Sequence, residues 1–332
     1  MSALWRLWVA VAAVLAAAWL VGGAAGPVEF LRPAAVPSDD PDPPPLTEAA
    51  PLRDPVRYSY APPCDHVTGD CPQRVLVTTT GQRRRLDGAR ADEPFALSAD
   101  GTRAVHPAGG RFVVRDLATG AVTRLPVKAG GEPLLSPDGR HLLVQDGRRP
   151  VLVDVARGTA SRLPRGGRAA GWTGRGLALV TERPTGDRPG HPTEAAYVIR
   201  GPGGVAVRRF TLPGNLTDGL PSPSARTLAT LAGEIRPDAV VTTGIALTDL
   251  RTGRTLRTVV PKLPDGLRAE EILRWENEEA LLVRSENRYV QDFYHVVDLA
   301  TGEARDAGVT VPAFAEFPVA EADAALVIGA VR

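Results

Sequence analysis

Two short turn motifs recur along this chain, and they constrain its fold more than any other feature. The first is Leu135-Ser136-Pro137-Asp138-Gly139, with a close copy at Leu97-Ser98-Ala99-Asp100-Gly101. The second is Asp-x-x-x-Gly, beginning at Asp116, Asp154, Asp249 and Asp298 and ending at Gly120, Gly158, Gly253 and Gly302. In such turns an Asp carboxylate accepts from backbone amides just ahead of it, and the Gly takes a positive φ that other residues resist. Weaker copies of the first turn stand at 171–176, 221–226 and 274–279, and Tyr197 to Gly204 is a degenerate copy of the second. After each first turn comes a short apolar run, such as Leu142-Leu143-Val144 or Leu281-Leu282-Val283. Apolar runs of four or five bounded by turns are strands buried on both faces.

The units begin near residues 95, 133, 169, 217 and 268. A repeat of about 38–49 residues built only from β signals means a propeller-like array. A sixth unit starts at Phe314-Ala315-Glu316-Phe317 and Ala324 to Ile328, then stops after two strands' length. The stretch Arg74 to Leu86 aligns with the later half of a unit, Pro150 to Leu163. The expected fold is therefore all-β: a six-bladed β-propeller over 74–332. Its last blade would join two C-terminal inner strands to N-terminal outer ones, hiding the edges an open sheet exposes.

A Ser-Pro-Asp-Gly turn, an apolar strand and an Asp-x-x-Thr-Gly turn together resemble the repeat of the TolB-like and PD40 (WD40-like) propellers. The Gly-His and Trp-Asp dipeptides of WD40 proper are absent. The resemblance covers roughly residues 74–332 and implies an extracytoplasmic binding scaffold.

Ahead of the repeats, residues 7–28 run without a charge. About 20 apolar residues span a bilayer as a helix. Residues 1–28 thus read as a transmembrane anchor, with a signal peptide cut near Gly23-Ala24-Ala25-Gly26 and a secreted product as the alternative. Pro27 directly after that exit disfavours cleavage. Arg6 and the free amine keep the short N-terminal end in the cytoplasm, so a single-pass protein of the cell membrane would carry its propeller outside. Residues 29–73 read as a Pro-rich linker, extended around Pro43-Pro44-Pro45. Cys64 and Cys71 are the only cysteines, and in an oxidising compartment they would pair.

Little in the chain speaks for catalysis. There is no Gly-x-Ser-x-Gly elbow and no phosphate loop. The five histidines, His66, His106, His141, His191 and His295, have no metal-ligand spacing, so no metal or cofactor is expected. His141 and His295 read as strand residues. Glu270, Glu271, Glu276, Glu278 and Glu279 read as a solvated turn, and Arg83-Arg84-Arg85 as charge that keeps an outer edge from pairing. Trp172 and Trp275 hold equivalent positions and are expected to pack between blades. A net charge of +1 favours no nucleic-acid partner.

One positional signal remains. The loop between the second and third strands of a unit is short in the first two units and long in the next three: 182–194, 234–244 and 284–292. All would emerge on one face of the ring, and insertions on one face of a repeat array often mark a binding surface. The candidate partner-binding residues there are Arg183, Asp187, Arg188, His191, Arg236, Asp238, Asn287, Arg288, Tyr289 and Asp292. The expected function is a membrane-anchored, extracytoplasmic, non-catalytic scaffold for a protein or peptide of the envelope. The alternative is a propeller enzyme of lyase or hydrolase type, metal-assisted or not, with its site at the central channel.

Overall fold

A computed structural model of the chain describes residues 43–46, 51–64, 68, 70–145, 149–165, 167–184, 193–235, 240–287, 291–310 and 326–331. The expected anchor and most of the expected linker lie outside these residues. No helix among the described residues is long and apolar enough to cross a membrane.

The chain enters as β1 (Pro45–Leu46), β2 (Val56–Tyr60), β3 (Gln73–Thr78) and β4 (Arg83–Arg90). Five four-stranded units follow. Blade 1 is β5 (Ala96–Leu97), β6 (Arg103–Ala108), β7 (Arg111–Asp116) and β8 (Val122–Lys128). Blade 2 is β9 (Glu132–Leu135), β10 (His141–Gln145), β11 (Val151–Asp154) and β12 (Thr159–Arg162). Blade 3 is β13 (Arg168–Thr173), β14 (Gly176–Pro184), β15 (Thr193–Arg200) and β16 (Ala206–Pro213). Blade 4 is β17 (Leu220–Pro221), β18 (Thr227–Ile235), β19 (Val240–Asp249) and β20 (Thr255–Val259), and blade 5 is β21 (Arg268–Asn277), β22 (Ala280–Glu286), β23 (Asp292–Asp298) and β24 (Ala304–Asp306). Within each blade the strands lie in chain order and pair antiparallel with their neighbours. The last strand, β25 (Val327–Ile328), pairs with β2, Tyr58 opposite Ile328, and completes blade 6 in the order β25-β2-β3-β4-β1.

The repeated turns do what their residues require. In blade 1 the Ser98 hydroxyl donates to Asp100 Oδ1 at 2.5 Å, Asp100 Oδ1 accepts from the Thr102 amide at 3.0 Å, and Gly101 sits at φ 69°. Blade 2 repeats this with Ser136, Asp138 and Arg140. In blade 4 the glycine is replaced by Ala225, the one non-glycine residue with positive φ (56°) among the described residues. In the second motif Asp116 Oδ1 accepts from the Ala118 and Thr119 amides at 3.1 and 2.9 Å, and Asp249 and Asp298 do the same. The Thr252 hydroxyl and amide hold the Asp249 carboxyl below the usual carboxylate range, and the Thr301 amide and hydroxyl do so for Asp298.

Packing closes the ring. Each pair of neighbouring blades shares one apolar cluster, the drive being removal of these side chains from water. Phe112 and Leu125 of blade 1 meet Leu142 and Val153 of blade 2, and Leu143 and Leu152 meet Leu177 and Leu179 of blade 3. Tyr197 and Leu212 meet Leu228 and Leu250 of blade 4, and Ile245 meets Leu281 and Val297 of blade 5. Leu282 and Tyr294 pack with Val331 and Ile328, and Leu76 and Leu86 of blade 6 pack with Ala104 and Leu117. The six-bladed ring is the architecture that the TolB-like resemblance implies.

The closing blade differs from expectation. Among the described residues it takes one strand from the C-terminus, where two were expected, and three from the N-terminus. Residues Val56 to Tyr60, assigned above to the linker, are a propeller strand with Val56, Tyr58 and Tyr60 buried. The flanking Pro55, Pro62 and Pro63 disguised it. A fifth strand, β1, also comes from the linker and runs parallel to β4, with Pro45 opposite Arg85 and the Arg85 amide donating to Pro44 O at 3.0 Å. Prolines suit this outermost position, where no outward donor is needed. Leu46 and Leu52 are buried beside Leu86 and Leu117, and the Leu52 amide donates to Leu117 O at 2.8 Å. The Arg83–Arg85 stretch therefore lies under β1 and does not guard an open edge. The stretch Phe314 to Phe317 lies outside the described residues.

The glutamate cluster is also corrected. It is strand and turn with fixed partners, because β21 runs ten residues, through Asn277. Glu270 pairs with Arg268, Glu271 with Arg284 and Glu276 with Arg274. Glu278 reaches across to blade 4, where it accepts from the Ser224 amide and, at 3.0 Å, from its hydroxyl.

Candidate functional site

Antiparallel pairing sends the first and third turns of every blade to one face of the ring and the second-to-third hairpins to the other. On that second face the blades differ. In blade 1 the hairpin closes at Ala108 opposite Arg111, and in blade 2 pairing ends at Val144 opposite Val151. In blade 3 it runs out to Pro184 opposite Thr193, in blade 4 to Ile235 opposite Val240, and in blade 5 to Glu286 opposite Asp292. The described ends of the long segments read as loops are thus paired strand. In blade 6 the pairing at this end stops at Tyr60 opposite Val75. Its second-to-third connection carries Cys64 and Cys71, which form the expected disulfide. Blades 3 to 5 raise a rim, and blades 1 and 2 leave it low.

Three of the ten candidate residues fall on this rim within the described residues. Arg183 is exposed on β14, opposite Glu194. Asn287 closes the blade 5 hairpin: its side-chain amide donates to Gln291 Oε1 at 2.9 Å and its Oδ1 accepts from the Gln291 backbone amide at 3.1 Å. Asp292 is not a free binding group. Its carboxylate is 4% exposed and accepts from Arg284 Nη1 at 3.3 Å, while Arg284 Nε also donates to Glu271 Oε2 at 3.2 Å. A β-hairpin buries Asp292 against a cation that sequence spacing alone does not single out. Asp187, Arg188, His191, Arg236, Asp238, Arg288 and Tyr289 lie outside the described residues.

The second candidate site is the central channel, a cavity of about 620 Å³. It is lined by the innermost strand of every blade, with Leu97, Leu134, Trp172, Leu220, Leu273 and Val327 among the residues. Among the described residues, the charged lining residues come from blade 5: Glu271, Arg274 and Arg284. All three are engaged. Arg274 Nε donates to Glu276 Oε1 at 2.6 Å, its Nη1 donates to Ile328 O at 2.8 Å, and its Nη2 donates to Gly329 O. Arg274 thereby ties blade 5 to the closing strand. Trp172 and Trp275 pack against neighbouring blades as expected, and they also face the channel. The Trp275 indole donates to Leu220 O of blade 4 at 2.8 Å. The channel could have been read from the sequence as the first strand of each unit taken together. Its apolar character could not, because that depends on which face of each short strand turns inward.

The histidines divide as the sequence reading has it, with one surprise. His141 and His295 are strand residues, on β10 and β23, and His66 and His191 lie outside the described residues. Ser285 Oγ and His295 Nδ1 lie 2.9 Å apart, within the reach of a nucleophile and its base. Ser285 is fully buried and His295 nearly so, inside the blade 5 sheet, so no substrate reaches the hydroxyl there. Burial also pushes the His295 imidazole below its ordinary range, with Asp306 opposing. Among the described residues no group of three or more His, Cys, Asp or Glu is placed to hold a metal ion.

No family model and no curated protein matches this chain. Solved structures are similar in fold. A TolB-type protein from Agrobacterium tumefaciens is 14% identical, over 76% of this chain and 88% of that one, with a TM-score of 0.45. An acylaminoacyl peptidase from Pyrococcus horikoshii is 14% identical over 75% of this chain and 39% of that one, with a TM-score of 0.39. A eukaryotic initiation factor is 14% identical over 76% of this chain and 62% of that one, also at 0.39. This chain thus spans less than two thirds of the peptidase and the initiation factor. At such scores none of these likenesses bears on function.

Proposed function

We propose that the protein is a binding scaffold that grips a protein or peptide partner on the raised hairpin face. The observation that carries this is the contrast between blades 3–5, whose second-to-third hairpins extend, and blades 1–2, whose hairpins are short. A ring needs only short turns there, so extension on consecutive blades adds surface without adding to the core. The low side at blades 1 and 2 leaves the partner an approach path. Arg183 and Asn287 stand on the contact surface, and Asp292 holds its hairpin upright through Arg284.

We place this scaffold outside the cytoplasmic membrane, tethered through residues 1–28. The apolar run from 7 to 28 and the disulfide, which persists in oxidising compartments, support that location. The test is crosslinking of the full-length protein in membranes, compared with a variant whose blade 3, 4 and 5 hairpins are trimmed to two-residue turns. The expected result is partner crosslinks at Arg183 and Asn287 that vanish on trimming, while circular dichroism is unchanged. Undiminished partner capture by the trimmed form overturns the proposal. Protease protection of the C-terminal body in sealed spheroplasts would overturn the location.

A further inference from the structure

The central channel has properties that gripping a partner on the rim does not require. Its volume, about 620 Å³, lies within the roughly 300–1,000 Å³ typical of small-molecule pockets. Its walls are mostly Leu, Val, Ile, Pro, Ala and Trp, contributed by all six blades. A mostly apolar wall favours apolar guests, because binding removes apolar surface from water. Two features narrow the guest. First, the channel's cations are spent: Arg284 is held by Glu271 and Asp292, and Arg274 by Glu276 and the closing-strand carbonyls. An anionic headgroup finds no spare cation. Second, backbone groups that a threaded peptide could pair with are partly occupied. Leu220 O accepts from Trp275, Ile328 O from Arg274, and the Ala169 amide donates to Gln145 Oε1. A peptide would bring in polar groups at the cost of their hydration.

We propose that the channel is a binding site for a neutral, elongated apolar molecule of the single-chain lipid kind, lying along the ring axis against Trp172, Leu273 and Trp275. The site is separate from the rim, and occupancy would stiffen the ring by filling the space its inner strands enclose.

The probe is a photoreactive diazirine derivative of a long-chain alcohol, applied to the full-length protein in its membrane, followed by peptide mapping. Surface-exposed Val207 and Leu256 on the outer strands report non-specific labelling. The expected result is labelling of the β13 and β21 peptides at least tenfold above that of the outer strands, competed away by excess unlabelled hexadecanol. Leu134→Gln combined with Leu273→Gln should reduce channel labelling to the outer-strand level. Channel labelling equal to the outer-strand level, labelling that hexadecanol does not compete, or labelling unchanged in a folded double variant overturns the proposal. If the double variant does not fold, the competition in the wild-type protein decides alone.

Discussion

At the residue scale the turns carry the clearest predictions. Gly101 combines a positive φ with a tight approach: an added Cβ would lie 2.2 Å from Val56 O, a backbone atom of the closing blade. Gly158 has a similar φ, 62°, but open space around it. Gly158→Ala is expected to cost only the left-handed penalty, about 1–2 kcal/mol. Gly101→Ala adds an overpacking cost of about 1–3 kcal/mol, and it also disturbs the Val56 amide, which donates to Gly101 O. Urea unfolding of the two variants should therefore separate them, with Gly101→Ala the less stable. The histidines set a pH dependence. Burial holds His106 and His295 below the ordinary imidazole range, so each stays neutral in the folded ring while the unfolded chain gains protons. Their contribution is full above the unfolded value, near 6.5, and is lost as pH falls below it, at up to about 1.4 kcal/mol per pH unit for each group. Unfolding midpoints measured between pH 7.5 and 5.5 should fall, and His106→Gln should flatten that slope.

Among the elements, β1 is the one whose role the sequence conceals. Two residues make the strand, yet Leu46 and, further on, Leu52 are buried, capping the outer edge of blade 6. A short proline-flanked strand carries no periodicity to read, so its place is legible only from contacts with Leu86 and Leu117, far along the chain. Full burial of a leucine contributes about 1.5–3 kcal/mol. Leu46→Asp and Leu52→Asp should each lower stability by at least that much and expose the β4 edge. Faster hydrogen exchange at the Arg85 amide, which donates to Pro44 O, would check this, and unchanged exchange there would show that β1 does not cap the edge. The hairpins of blades 3, 4 and 5 are an opposite case. Their length was visible as long gaps between repeats, but gap length does not distinguish loop from paired strand. Cross-strand register decides it, and register also explains why Asp292, a candidate binding residue, is instead bound to Arg284.

For the molecule as a whole, closure is the decisive event. Arg57 Nη1 donates to Gly308 O across 251 residues of sequence. Arg274 holds Ile328 and Gly329, and the Gly329 and Ala330 amides donate to Arg57 and Val56 carbonyls at 2.7 and 2.9 Å. Arg274→Ala removes hydrogen bonds from a charged donor, each contributing about 1.5–3 kcal/mol before allowance for solvent exposure, and should destabilise the ring by about 2 kcal/mol. Removing residues 327–332 should do more, because it strips the inner edge of β2 and leaves the ring open. Limited proteolysis at 25 °C is the check: rapid cleavage within blade 6 is expected for the truncated protein and slow cleavage for the wild type. The sequence by itself determined the repeated turns, the strand-forming runs of the five full units, the blade count and, given an oxidising compartment, the cysteine pairing. Each of these depends on residues a few positions apart, such as an Asp, its nearby amides and a Gly free to take positive φ. Only the tertiary structure decided which N-terminal segment closes the ring, where Asp292 finds its cation, and that the inner strands line an apolar channel. Ring closure joins residues 251 positions apart, the channel needs all six blades side by side, and the Asp292–Arg284 pair, eight residues apart, depends on cross-strand register; local propensity encodes none of these.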